Sequence, residues 1–72
     1  MNNYLAIKIC EAIMPIKDDS VNVTIVTNNG DVYNNVEVDD FNIKGVYFSN
    51  DRYTSYVAYN KIVEINVRNK VD

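Results

Sequence analysis

The pair Asn29-Gly30, set between two runs in which apolar and polar residues alternate, constrains this chain more than any other feature. Val21-Asn22-Val23-Thr24-Ile25 alternates on one side, and Val32, Val36 and Val38 resume the alternation on the other. A period of two belongs to a strand with one buried face. Asn-Gly supplies the two positive φ values of a type I′ turn, so the pattern predicts a tight antiparallel hairpin. A chain with such a hairpin near its centre completes its core by adding strands or a helix to the same sheet. Eleven Val and eight Ile against one Leu, with six Tyr and two Phe, favour strands.

Before the hairpin, Tyr4, Lys8 and Glu11 fall on one face of a 3.6-residue period, and Leu5, Ala6, Ile9, Cys10, Ala12, Ile13 and Ile16 cover the rest. This predicts a helix over 3–14, with Asn2 or Asn3 as N-cap and Pro15 as the stop. The competing strand, with Leu5, Ile7 and Ile9 inward, is disfavoured by length. Cys10 lies on the apolar side and is read as an inert buried thiol. Lys17-Asp18-Asp19-Ser20 forms the loop to the first strand.

After the hairpin the parity breaks at Asp39-Asp40 and passes to Phe41 and Ile43, which predicts a bulge or sharp bend. Gly45 introduces Val46-Tyr47-Phe48, Ser49-Asn50-Asp51 makes a turn, and a tyrosine-rich strand runs from Arg52 to Tyr59. Asn60-Lys61 is a very short connection to the last strand, Ile62 to Arg68. The expected fold is mainly β: one domain over 1–72, with the helix followed by a small, strongly bent five-stranded antiparallel barrel over 20–68.

At seventy-two residues a single core is marginal without a staple. One cysteine excludes an internal disulfide, and the lack of histidine excludes histidine-ligated zinc and histidine-based catalysis. Self-association, as a homo-oligomer, is the remaining staple.

The stretch Asn29-Gly30-Asp31-Val32-Tyr33-Asn34-Asn35-Val36-Glu37-Val38-Asp39-Asp40-Phe41-Asn42-Ile43 resembles the first Sm motif: glycine turn, aromatic, alternating strand, acidic bend, then Asn beside an aliphatic. Tyr59-Asn60-Lys61-Ile62-Val63 is similar to the short turn and final strand of the second. The layout as a whole resembles the Sm-like variety of SH3-like barrel, which implies that fold and, as one function, RNA binding. The second Sm glycine is replaced by Asn34 or Asn35, the gap from Asp39 to Asn42 is one residue short, and Asn60-Lys61 stands where RNA-binding members carry Arg-Gly. The histidine-bearing turn of the bacterial host-factor branch is missing as well.

No catalytic constellation is expected. Asp39 and Asp40 are strand neighbours that point to opposite faces, and no P-loop, dinucleotide fingerprint or zinc spacing occurs. Neither a cofactor nor a metal is expected. Binding is easier to build. Tyrosine offers flat apolar area with a hydroxyl, and Arg pairs bidentately with phosphate. Tyr47, Arg52, Tyr53, Tyr56, Lys61 and Arg68 are the candidate ligand-binding residues. Alternation puts Tyr53 and Tyr59 on one side with Val57, and Tyr56 on the other with Arg52, Thr54 and Ala58, so one set faces outward. An outward aromatic beside Arg is a base-stacking platform; the same residues could instead form the core or a subunit contact.

In size and economy of residues the chain resembles the viral sponge proteins, of the anti-CBASS and anti-Thoeris classes, that sequester cyclic-nucleotide signals of antiphage defence. The expected function is thus a non-enzymatic, self-assembling binder that holds a nucleotide-type ligand, such as a cyclic oligonucleotide, at subunit interfaces. The alternatives are an Sm-like RNA binder and a structural or protein-interaction module. A net charge of −3 argues against duplex DNA. Tyr4 to Ile16 is interrupted by Lys8, Glu11 and Pro15, which makes it neither signal peptide nor transmembrane span, so a cytoplasmic location in a bacterial cell or phage-infected host is expected.

Overall fold

The computed structural model describes residues 1–16 and 21–69. The expected loop Lys17 to Ser20 lies outside the described residues. The elements are α1 (Asn3–Ile13), β1 (Val21–Thr27), β2 (Val32–Phe41), β3 (Gly45–Ser49), β4 (Thr54–Ala58), a 3-10 turn (Tyr59–Lys61) and β5 (Ile62–Asn69). The strands form one five-stranded antiparallel sheet in the order β4-β3-β2-β1-β5. The protein is therefore mainly β, with a single N-terminal helix ahead of the sheet.

Helix α1 starts at Asn2, whose backbone is extended and whose Oδ1 accepts the Leu5 N–H at 2.8 Å. It ends where Met14 N–H reaches the Cys10 carbonyl, one residue before Pro15. Ala6, Cys10 and Ile13 form its buried stripe, narrower than the sequence pattern predicts: Leu5 is 51% exposed. Three bonds fix its start. The Met1 amino group donates to the Ile62 carbonyl at 2.6 Å and to that of Tyr59 at 3.3 Å, and Asn3 Nδ2 donates to the Ile43 carbonyl at 3.0 Å.

The core joins that stripe to Val23 and Ile25 of β1, Val36 and Val38 of β2, Val46 and Phe48 of β3, then Tyr59 and Ile62. Ile25, Phe48 and Tyr59 are wholly buried. Burying an Ile or Phe side chain is worth roughly 1.5–3 kcal/mol, so these few positions hold much of the fold.

The β1–β2 hairpin forms at Asn29-Gly30, though not as a type I′ turn. Gly30 alone takes a positive φ there, +93°. Gly30 N–H bonds the Thr27 carbonyl at 3.1 Å and Thr27 N–H bonds the Asp31 carbonyl at 2.9 Å, giving a three-residue connection closed by glycine. A second departure follows in β2. Asn35 has φ +53°, a conformation asparagine tolerates, and the pairing passes from Ile25↔Tyr33 to Val23↔Val36 with one extra residue on β2. That bulge reverses the parity, so Tyr33 turns inward and Val32, expected in the core, is exposed.

The expected bend at Asp39-Asp40 is present as a bulge between Val38↔Phe48 and Asp40↔Tyr47. Strand β4 is shorter than the expected 52–59. Asn50 Oδ1 accepts from Arg52 and Tyr53 N–H at 2.8 and 3.2 Å, which holds those residues in the turn, and Tyr59 belongs to the 3-10 turn. No ladder joins β4 to β5 among the described residues. The seam between them is crossed instead by the 3-10 turn, tied by Tyr59 N–H to the Lys44 carbonyl and by Asn28 N–H to the Lys61 carbonyl, at 2.9 and 2.8 Å.

Candidate functional site

Beside that seam lies an open cleft of about 300 Å³. One wall is the β1–β2 hairpin, through Thr27, Asn29, Asp31 and Tyr33. The other is the end of β4 and the 3-10 turn, through Tyr56, Val57, Ala58 and Lys61. The hairpin wall is held firmly: the buried Thr27 hydroxyl donates to Asn29 Oδ1 and accepts the Asp31 N–H at 3.1 Å. Among the described residues neither the Asp31 carboxylate nor the Lys61 ammonium has an ion-pair partner. Among the described residues, the cleft therefore offers a carboxylate and an ammonium without ion-pair partners, beside two aromatic side chains.

The placement of Tyr56 depends on a glycine. Tyr47 and Tyr56 are cross-strand partners on the outer face, with ring centroids 4.5 Å apart at 46°. The Tyr56 ring lies over Gly45, where a Cβ would come within 2.6 Å of its Cζ and Oη and 2.7 Å of the Val57 carbonyl oxygen. Both rings remain partly open, Tyr47 at 41% and Tyr56 at 44% exposure. The alternation left open which tyrosines face out; Tyr56 does. Tyr59 is buried, and Tyr53 is half-buried, edge-on to Tyr33 at 5.8 Å. Tyr33 also meets Phe48 edge-on at 5.0 Å.

Of the six candidate residues, Tyr56 and Lys61 line the cleft, and Tyr47 abuts it through Tyr56. Arg52 lines a separate hollow of about 140 Å³ with Asn35, Asn50 and Asp51. Arg68 pairs opposite Asn22 near the far end of β5, roughly 20 Å along the strand from Lys61 at about 3.3 Å per residue. Thus the fold does not bring the arginines to the tyrosine pair. Sequence reading missed Thr27, Asn29, Asp31 and Tyr33. A two-residue turn at Asn29-Gly30 sets Asn28 opposite Asp31, and only the longer connection brings Thr27 there, while Tyr33 was hidden by the parity reversal at Asn35.

Cys10 is buried, and desolvation pushes its thiol up from 9.0 to about 11, offset in part by a hydrogen bond with Tyr59. Tyr59 rises from 10.0 to about 12, chiefly through burial, then through the nearby Cys10 and Tyr56. Its hydroxyl donates to the Asn42 carbonyl at 2.6 Å, clamping the β2–β3 turn to the 3-10 turn. The pair is structural: at neutral pH the thiol is protonated and out of reach of solvent.

No group of acidic or cysteine side chains among the described residues is arranged to hold a metal ion. Nor is any described helix long and apolar enough to cross a membrane. Comparison with protein families, curated proteins and solved structures found no match to this chain.

Proposed function

We propose that this protein is a non-enzymatic binder that self-assembles and holds a nucleotide-type ligand in the cleft between Tyr56 and the β1–β2 hairpin. The observation that carries this reading is the company Tyr56 keeps. A half-exposed ring, braced by Tyr47 and Gly45, shares an open cleft with a lysine that has no ion-pair partner among the described residues, which supplies a stacking surface and a phosphate partner in one place. Stacking a base on such a ring is worth on the order of 1–3 kcal/mol.

Self-assembly has its support in the sheet. Both edge strands, β4 and β5, carry unpaired backbone groups, and β5 leaves Val63 60% and Val67 40% exposed. Pairing β4 of one copy with β5 of the next is a head-to-tail contact, which closes into a ring when the rotation between copies divides a full turn. Because Tyr56, Val57 and Ala58 belong to edge strand β4, the neighbour's β5 would form part of the cleft's surroundings and bring its own Arg68 into the assembly. A cleft of this size suits one nucleoside unit, so a cyclic dinucleotide would divide its two bases between two subunits. Sequestering such a signal, as phage counter-defence sponges do, needs no catalytic group.

The test is a thermal-shift panel of mono-, di- and cyclic nucleotides, with the subunit number read from native mass. The expected result is an oligomer stabilised by a nucleotide, with the shift lost in Tyr56→Ala. A strict monomer unmoved by every nucleotide refutes the proposal. Copurified RNA whose release depends steeply on salt would favour the RNA-binding alternative instead.

A further inference from the structure

Resting on the nucleotide reading above, we propose that the cleft selects a guanine base, with the Asp31 carboxylate as the specificity-determining group. A carboxylate is out of place in a phosphate site. It repels the ligand in a protein already at net −3, and it is useful only where the ligand brings donors to meet it. Asp31 lines the same cleft as Tyr33, Tyr56 and Lys61. Its backbone is locked, with its N–H on the Thr27 hydroxyl and its carbonyl accepting the Thr27 N–H at 2.9 Å. Its side chain has no hydrogen bond or ion pair among the described residues. The backbone that carries the acid is thus held in place, and among the described residues the carboxylate has no partner.

An ionised carboxylate accepts two parallel N–H donors. Among the standard bases only guanine presents an adjacent pair on one edge, the ring N1–H and the exocyclic N2 amine. Adenine sets a ring acceptor beside its amine, and that lone pair faces the carboxylate. Uracil has a single N–H flanked by two carbonyls. With the base stacked at Tyr56 and its donor edge on Asp31, Lys61 is left for the phosphate, so each unpaired charge of the cleft meets its complement. The acid also acts against competitors, because a base lacking the donor pair leaves Asp31 facing phosphate unrelieved.

The comparison of GMP with IMP isolates the claim, since the two differ only by the N2 amine. Calorimetric titration of wild type with GMP, IMP and AMP is expected to give GMP the tighter binding by about tenfold, the size of one charge-assisted hydrogen bond. Asp31→Asn is expected to weaken GMP and bring the three together. It should fold normally, because the side chain holds nothing in place, and circular dichroism checks that. A paired titration with cyclic di-GMP and cyclic di-AMP distinguishes the carrier: tighter cyclic di-GMP than GMP makes the ligand a dinucleotide, and the reverse makes it a mononucleotide. Equal binding of GMP and IMP, or a guanine preference that survives Asp31→Asn, overturns the inference while leaving the nucleotide reading standing. Failure of every nucleotide to bind overturns both.

Discussion

Gly45→Ala is the substitution whose effect the structure determines most closely. The added methyl would lie 2.6 Å from Cζ and Oη of Tyr56 and 2.7 Å from the Val57 carbonyl oxygen. The ring can swing away, but the carbonyl belongs to the β3–β4 ladder, where Val46 pairs with Val57, so β4 itself must shift. Forcing a methyl into a filled site costs about 1–3 kcal/mol. Against this, alanine restricts the unfolded chain and returns about 0.4–1 kcal/mol. The net expectation is a loss of about 1–2 kcal/mol, against a total of about 4–11 kcal/mol for a domain of this length. In urea denaturation at fixed protomer concentration, with a slope near 1 kcal/mol/M, the midpoint should fall by about 1–2 M. Tyr56→Ala in the same background removes one of the two clashes, so the double-mutant cycle should show a coupling of at least about 0.5 kcal/mol. A Gly45→Ala protein as stable as wild type, with no coupling to Tyr56, refutes the packing of that ring on the glycine and with it the placement of the cleft wall.

Alkaline pH should destabilise the fold. Cys10 and Tyr59 ionise at higher pH when folded, at about 11 and about 12, than when unfolded. The unfolded chain therefore loses its protons first, and the stability present below pH 9 declines as the pH rises toward 12. Thermal melts across that range check it, and Cys10→Ala should flatten the early part of the decline. Asn2→Ala removes the acceptor of the Leu5 N–H and should cost about 1 kcal/mol by the same melts, with Asn2→Ser recovering most of it. Phe48→Ala empties a wholly buried site and should cost about 3–5 kcal/mol, leaving a protein unfolded at modest urea concentration. Val63→Lys, at an exposed position of edge strand β5, should leave the circular dichroism spectrum unchanged while lowering the native mass to that of a monomer.

Much of this fold was legible because local signals agreed with the global arrangement. Asn2 and Pro15 bracket the helix, Asn29-Gly30 places the hairpin, and the parity break at Asp39-Asp40 marks the bend. What escaped was conformation carried by a single residue. Asn35 looks like any other polar position of an alternating strand, yet its left-handed φ inserts a bulge, turns Tyr33 inward to half-burial and Val32 to solvent. The turn type failed for a related reason: Asn-Gly suits two connections, and buried Thr27, with its bonds to Asn29 and Asp31, selects the longer one. At the site, alternation divided the tyrosines correctly but could not say which set faced out. Burial of Tyr59 against Cys10 decides that. Arg52 was grouped with Tyr56 by strand alternation and Arg68 by its phosphate chemistry, whereas the turn at Asn50 and the length of β5 carry them elsewhere.

In the proposed assembly, subunits join through the free edges of the sheet and each offers one nucleotide cleft. Native mass spectrometry of the full chain with and without added GMP reads both halves at once. The expected result is a closed oligomer that takes up nucleotide to a limit of one per subunit. A monomer that gains no mass at any nucleotide concentration would contradict it.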